Sequence, residues 1–330
     1  MPADCEPIVE VRDLRVNFYT YAGVVKAIDG VSFRVCRGET YCLVGETGCG
    51  KSVTARAITR LIRPPGRIEG GEIIYYRDSG PVNIMELTEE ELREIRGSEI
   101  AYVFQDPNAA LDPLYTVGYQ VAETMLEHGR VASIKEGMRR AVEVLRSVLM
   151  PDPEKRSRNY PHELSGGMKQ RAVIGIGLSN QPRLLIADEP TTALDATVQA
   201  QIMDLLMDLR RREGLTVLLI THNMGLVAQV CDRVAVMYAG NIVEEAPVEE
   251  LFRNPLHPYT RALLRAVPNP ARRVVRLESI PGTVPNLVRP PRGCRFHPRC
   301  PRAMKVCTER KPPDIWVGED HRVACWLYAR

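Results

Sequence analysis

The feature that most constrains this chain is Gly45-Glu46-Thr47-Gly48-Cys49-Gly50-Lys51-Ser52, which satisfies G-x-x-x-x-G-K-[ST] in full. Residues 41–44 before it form a short apolar run of strand type. Residues 53–62 after it carry apolar side chains at helical spacing and stop before Pro64-Pro65. Strand, glycine loop, helix is the setting in which such a loop closes around phosphate. Glycines let successive backbone N–H groups turn inward, and the helix start adds a partial positive charge. Lys51 is placed to reach the β- and γ-phosphates and Ser52 to ligate Mg²⁺. The segment from Gly45 to Val53 is therefore expected to hold a nucleoside triphosphate. Cys49 reads as a small residue of which only the backbone matters, with a redox-sensitive thiol as the alternative.

The rest of the pattern is α/β. Residues 8–18 and 25–35 read as strands flanking a turn at Gly23, and residues 70–76 as a further strand. Residues 89–95 read as an acidic helix and 100–104 as a strand. From Thr116 to Met150 the pattern is helical, with Val131, Ile134, Met138, Val142, Leu145 and Leu149 at spacings of three and four. Residues 151–162 are proline-rich and polar and read as a loop. Residues 184–187 and 217–220 are fully apolar β-type runs flanking a helix over 196–211, and residues 234–238 read as another strand. This predicts a buried parallel sheet.

Two further constellations carry chemistry. Leu184-Leu185-Ile186-Ala187-Asp188-Glu189 is an apolar strand ending in two carboxylates. Adjacent strand residues point to opposite faces, so Asp188 can hold Mg²⁺ while Glu189 polarises an attacking water. Leu164-Ser165-Gly166-Gly167-Met168-Lys169-Gln170-Arg171 opens a predicted helix and makes a second anion-binding helix start. Two phosphate-binding starts are more than one site needs.

Phosphate loop, LSGG-type signature and LLIADE strand, in this order, resemble the ATP-binding-cassette (ABC) ATPases. The resemblance covers residues 8–246 and implies an ABC ATPase core with an antiparallel β subdomain. It also implies a helical insert at about 107–163 that docks onto membrane subunits. Such ATPases dimerise head to tail, each ATP lying between the phosphate loop of one subunit and the signature of the other. On this resemblance Leu164, Ser165, Gly166, Gly167, Met168 and Gln170 serve the partner's ATP. Gln105, in Val103-Phe104-Gln105-Asp106-Pro107, resembles the Q-loop glutamine, sensing Mg²⁺ and water. Ala193-Leu194-Asp195 resembles the D-loop, and His222, after Thr221, the histidine that contacts the γ-phosphate. Ser52, Gln105 and Asp188 form the implied Mg²⁺ set, and Glu189, His222 and Gln105 the implied catalytic set. An aromatic ahead of the phosphate loop is expected to stack on adenine: Tyr21 by distance, Tyr19 next.

Composition divides the chain unevenly. From Pro268 onward there are 13 Lys and Arg against 5 Asp and Glu, a charge of +8, while the remainder carries 31 against 36, or −5. The tail also holds Cys294, Cys300, Cys307 and Cys325, spaced C-x5-C-x6-C-x17-C, which is not a zinc-ribbon spacing. Spacing leaves zinc, an iron–sulfur cluster and free thiols open. The nearby Arg292, Arg295, Arg299, Arg302 and Lys305 favour an anionic cluster. The phrases Gly293-Cys294-Arg295-Phe296-His297-Pro298-Arg299-Cys300-Pro301 and His321-Arg322-Val323-Ala324-Cys325 resemble the C-terminal extension of oligopeptide, dipeptide and nickel importers. So do Asn254-Pro255-Leu256-His257-Pro258-Tyr259-Thr260 and Ile280-Pro281-Gly282-Thr283-Val284-Pro285. That resemblance implies a [4Fe–4S] cluster on the four cysteines, structural in role, with zinc as the alternative. His297 and His321 read as packing or polar-contact residues rather than ligands.

The expected organisation is thus an ABC domain over 1–245 and a cysteine-bearing extension over 246–330. The implied partners are a second ABC ATPase, expected to be a paralogue, two transmembrane permease subunits and a solute-binding protein. Peptides are the expected cargo, with oligosaccharides or nickel chelates as alternatives. A net charge of only +3 argues against nucleic acid, and a soluble ABC ATPase of DNA repair or translation is the rival class. Neither a secretory signal nor a membrane span is read from the sequence. The chain is expected at the cytoplasmic face of the membrane, its nine cysteines thiols or ligands rather than disulfides.

Overall fold

The computed structural model describes residues 5–192, 194–267 and 280–329, which divide into two compact units. One comprises the chain up to Glu86 and from Ile220 onward; the other is Leu87–Leu219.

The first unit opens with β1 (Pro7–Thr20) and β2 (Gly23–Cys36), an antiparallel pair joined by a two-residue turn. β3 (Thr40–Val44) is buried at all five positions and feeds the glycine loop and α1 (Lys51–Ile58). The helix ends four residues before the expected stop, because Arg60 adopts a left-handed φ of 50° that a right-handed helix cannot continue through. β4 (Gly66–Arg77) pairs with β1 and with β5 (Gly80–Asn83), completing a four-stranded sheet ordered β2-β1-β4-β5. This is the expected antiparallel subdomain.

In the second unit α2 (Glu89–Ile95) starts in a capping box between Thr88 and Glu91. β6 (Ile100–Val103) pairs in parallel with β7 (Leu184–Asp188). Between them lie α3 (Pro107–Ala110), α4 (Val117–Glu127), α5 (Ile134–Ser147), α6 (Pro153–Arg156) and α7 (Gly166–Leu178). The proline-rich 151–162 segment, expected as loop, carries α6 and part of a 3₁₀ turn at Pro161–Glu163. Pro153 and Pro161 stand at first helical positions, where no N–H is needed. α8 (Ala196–Glu213) follows, and β8 (Thr216–Thr221) returns the chain to the first unit.

There α9 (Met224–Val230) leads into β9 (Arg233–Tyr238), every residue of which is buried. β9 pairs in parallel with β3, Tyr41 opposite Arg233 and Val44 opposite Val236. The buried parallel pairings β3–β9 and β6–β7 agree with the sequence reading. β10 (Asn241–Pro247) pairs antiparallel with β9 and runs across the expected boundary at 245/246. After α10 (Val248–Arg253) and α11 (Pro258–Arg265), the tail forms α12 (Lys305–Glu309), β11 (Ile315–Trp316) and β12 (Arg322–Val323). β12 pairs with β10, Glu244 opposite Val323, so the tail extends the sheet of the first unit.

Contrary to the expectation of thiols, Cys5–Cys36 and Cys42–Cys231 are disulfide-bonded. The β1–β2 register sets Pro7 opposite Cys36, and the β3–β9 register sets Tyr41 opposite Arg233, which brings each pair together. Sequence separations of 31 and 189 give no hint of either. No helix among the described residues is long and apolar enough to cross a membrane.

Candidate active site

In the first unit, the phosphate loop depends on backbone that only glycine supplies. Gly45 has φ 151°, and a Cβ there would lie 2.2 Å from the Met237 carbonyl oxygen. Gly50 caps α1 at φ 109° with no side chain accepting from the first turn. A glycine-capped helix start of this kind suits an anion. Lys51 is buried, its Nζ donating to the carbonyls of Gly45 at 2.9 Å and Glu46 at 3.2 Å. Ser52 and Val53 are half-buried, Thr47 and Gly48 exposed. Cys49 is fully buried, and burial pushes its thiol up from the usual range, which removes the basis for a reactive thiolate.

Glu46 is held from both ends. Its amide donates to the Tyr259 hydroxyl at 2.9 Å. Its carboxylate accepts from Arg299 Nη1 at 2.7 Å and Nη2 at 3.0 Å. The sequence reading assigned neither Tyr259 nor Arg299 to this loop. His222 is exposed at the corner between β8 and α9. The corner is pinned locally: Asn223 donates its amide to Thr221 Oγ1 and accepts from the amides of Gly225 and Leu226.

In the second unit, Asp188 ends β7 fully buried and accepts from the Tyr102 hydroxyl at 2.8 Å. Glu189 has φ 47°, a left-handed conformation that costs a non-glycine residue about 1 kcal/mol. Its carboxylate accepts from Gln105 Nε2 and from Thr192 Oγ1, each at 2.9 Å. Two of the expected catalytic residues therefore meet. Thr192 is a partner that the sequence reading missed.

The signature residues open α7 as expected. Ser165 is the N-cap, accepting from the Met168 amide at 3.4 Å. Leu164 and Gln170 are buried, Gly166 is exposed and Met168 half-buried. At Gly167 a Cβ would come within 2.7 Å of Val198 Cγ1, so the glycine allows the close approach of α8. Asp195 caps α8 through the amides of Thr197 and Val198. Ala193 lies outside the described residues.

Tyr21 sits fully exposed in the β1–β2 turn. Tyr19 is engaged: its hydroxyl donates to Glu69 at 2.8 Å, and the Arg67 guanidinium lies over its ring at 5.4 Å. Of the two, Tyr21 offers the open face.

The four tail cysteines are gathered in the first unit. The Cys294 amide donates to the Cys307 carbonyl at 2.8 Å. Burial pushes the Cys294 thiol up to about 11, with smaller contributions from the charges of Cys307, Cys325 and Cys300. Yet no group of three or more His, Cys, Asp or Glu among the described residues is arranged to hold a metal ion. The expected [4Fe–4S] or zinc ligand set is thus not assembled among the described residues: Cys307 and Cys325 are buried and Cys294 and Cys300 half-buried, without ligand geometry. His321 Nε2 lies 2.8 Å from Glu244 and His297 Nδ1 lies 2.9 Å from the Cys294 carbonyl, the polar contacts expected of them.

Comparison with known proteins gives one consistent answer. The ABC transporter family model matches residues 28–192, and that of the oligopeptide/dipeptide transporter C-terminal region matches residues 243–307. The chain is 51% identical to a probable peptide ABC transporter ATP-binding protein of Sinorhizobium fredii, covering 97% of this chain and 94% of that protein. It is 47% identical to the oligopeptide transport ATP-binding protein OppD of Bacillus subtilis, over 97% of this chain and 88% of the relative. It is also 47% identical to the dipeptide transport ATP-binding protein DppD of Lactococcus lactis, over 98% and 91%. Among solved structures, the dimeric cassette MJ0796 in a post-hydrolysis state with ADP and phosphate superposes at a TM-score of 0.64. It is 29% identical and covers 73% of this chain and 98% of that one. With its phosphate loop, signature helix and paired Gln105 and Glu189, the chain belongs to the ABC transporter family as an ATP-binding, ATP-hydrolysing subunit.

Proposed function

We propose that this chain is the ATPase subunit of a peptide importer, working as a peripheral subunit at the cytoplasmic face of the membrane. Support comes from relatives whose names specify peptide, oligopeptide and dipeptide transport. Two permease subunits, a second ATPase and a solute-binding protein complete the assembly in this reading. The ABC engine occupies residues 1–245, with its helical subdomain at about 107–163, and the extension 246–330.

The observation that carries the catalytic assignment is the hydrogen-bonded pair Gln105–Glu189 beside the buried Asp188. Glu189 is the general base. Gln105 and Thr192 fix its carboxylate, and its left-handed backbone directs it. Backbone N–H groups of Gly45–Ser52 and Lys51 hold the β- and γ-phosphates, His222 meets the γ-phosphate, and Tyr21 stacks on adenine. The signature, led by Ser165, faces the ATP of the partner ATPase, with Asp195 at the interface. Ser52, Asp188 and Gln105 supply oxygen donors of the kind Mg²⁺ prefers. When bound, that ion neutralises charge between the phosphates. Opening and closing of the ATPase pair drive the permeases between access states.

Substitution Glu189→Gln removes the base and keeps the size. It is expected to retain ATP binding and to slow hydrolysis at least about a hundredfold. Hydrolysis at the normal rate would show that another group activates water.

The finer reading of the tail is that Cys294, Cys300, Cys307 and Cys325 draw together around a [4Fe–4S] cluster. It is supported by the match of this region to the oligopeptide/dipeptide transporter C-terminal family and by the full or partial burial of the four cysteines. Anaerobically purified protein is expected to absorb near roughly 400 nm and to lose that band when the four cysteines become serine. Iron-free protein with stoichiometric zinc would defeat this reading.

A further inference from the structure

The tail reaches back to the phosphate loop through one side chain. Arg299 stands in the turn between Cys294 and Cys300, where successive 3.0–3.2 Å backbone bonds fix it: the amide of His297 donates to Cys294, that of Arg299 to Phe296, and that of Cys300 to His297. Phe296 of the same turn is fully buried. Its ring packs edge-on against Tyr238 at 5.0 Å and against Tyr259 at 5.3 Å. The turn is therefore anchored to β9 and α11, and Arg299 extends from a rigid base.

The guanidinium is placed with unusual economy of freedom. Its side chain is 5% exposed, while that of Glu46 is 28% exposed. It gives two parallel bonds to the Glu46 carboxylate, at 2.7 and 3.0 Å. Nε donates to the Pro281 carbonyl at 2.8 Å, Nη2 to the Ile280 carbonyl at 3.3 Å and Nη1 to the Tyr238 hydroxyl at 3.3 Å. A bidentate pair of this kind fixes both partners in one geometry.

Glu46 is the first variable residue of the phosphate loop, and its negative charge is misplaced there. A carboxylate beside the polyphosphate would repel it. At a partly buried loop that repulsion is only partly screened. The loop needs its backbone amides and Lys51, but not this charge.

We propose that Arg299 is a positioning residue for ATP: the C-terminal region uses it to neutralise the Glu46 carboxylate and hold it aside, so that the loop's amides and Lys51 meet the phosphates. The extension is then a working part of the nucleotide site as well as an appendage. This deepens the reading of Gly45–Ser52 as the ATP loop and rests on it.

The test uses the full-length chain and a fluorescent ATP analogue with Mg²⁺, titrated to equilibrium. Arg299→Met keeps the apolar stem over Tyr238 and removes the charge. It is expected to weaken binding about tenfold. Arg299→Lys keeps the charge and is expected to stay within about threefold of the parent. Glu46→Gln in the Arg299→Met background is expected to recover most of the loss. A purely structural staple would not show that recovery, because the second substitution restores no packing. Unchanged binding in Arg299→Met overturns the inference. So does a double variant as weak as the single one. If Arg299→Met does not fold, Arg299→Gln takes its place with the same expectations. Lys51→Ala separates the two readings. Normal binding in that variant means the loop is not the ATP site, whereas loss there with normal binding in Arg299→Met rejects only the role of Arg299.

Discussion

Within β1, the Glu10 carboxylate accepts from Arg12 at 2.8 Å, Arg34 at 3.0 Å and the Tyr76 hydroxyl at 3.0 Å. Burial works to raise its pKa, but these hydrogen bonds prevail and hold it at about 2. A carboxyl depressed from 4.5 stabilises the folded state above pH 4.5 and loses that contribution as the pH falls towards 2. Glu10→Gln should therefore cost about 2 kcal/mol near pH 7, after discounting for the exposed Arg12. Urea unfolding at pH 7 and at pH 3 would show the gap narrowing at the lower pH. An equal gap at both would mean that packing, not charge, is at stake. The same contrast between local and distant partners decides which site residues the sequence revealed. Gly45, Lys51, Ser52, Asp188 and Glu189 could be nominated from sequence because each belongs to a short contiguous pattern tied to a strand end. Arg299, 253 residues from Glu46, and Tyr259, 213 residues away, could not, since nothing local marks either as a neighbour of the glycine loop.

At the scale of elements, the helices and strands were found where one period dominated, and misread where a close approach set the packing. The expected apolar stripe of α5 was Val131, Ile134, Met138, Val142, Leu145 and Leu149. Of these, Val131 and Leu145 are buried; within α5 the buried positions are Gly137, Ala141 and Leu145, while Ile134, Met138 and Val142 are half-buried. A Cβ at Gly137 would lie 2.8 Å from Ala122 Cβ on α4. The two helices approach through small residues, and the long apolar side chains fall to the flanks. Leu149, beyond the helix end with φ 56°, is 60% exposed. β10 escaped detection for another reason. Its centre reads Val243-Glu244-Glu245, which resembles a solvated edge, yet Glu244 is fully buried and Glu245 nearly so. Their partners come from elsewhere: the amides of Leu256 and His257 donate to Glu244, and Arg233 and Arg322 hold Glu245 at 2.9 and 2.6 Å. Two adjacent buried carboxylates are intelligible only once the covering chain is in place.

For the molecule as a whole, the cationic tail is part of that cover. Composition set it apart, and its charge finds use in the acidic positions of the first unit. Arg322 pairs with Glu245 and also donates to the Ser32 carbonyl at 2.7 Å; Arg295 donates to Asp29 at 3.1 Å; His321 lies against Glu244. Removing one member of a buried pair leaves the other charged and desolvated, which costs about 3 kcal/mol when nothing else holds it; Glu245 keeps Arg233, so the cost of losing Arg322 is about 2 kcal/mol. If the tail is an integral layer of the first unit, Arg322→Ala should destabilise β9 and β12 together. If it is an attached module, only β12 should loosen. Native-state hydrogen exchange separates the two, because the Ala324 amide reports the junction through its 2.9 Å bond to the Val243 carbonyl, and the amides of β9 report the sheet beyond. The expected result is a parallel fall of about 2 kcal/mol in the opening free energy of Ala324 and of β9. A fall confined to Ala324 would return the tail to the status of an appendage. It would also remove the rigid footing from which Arg299 reaches Glu46.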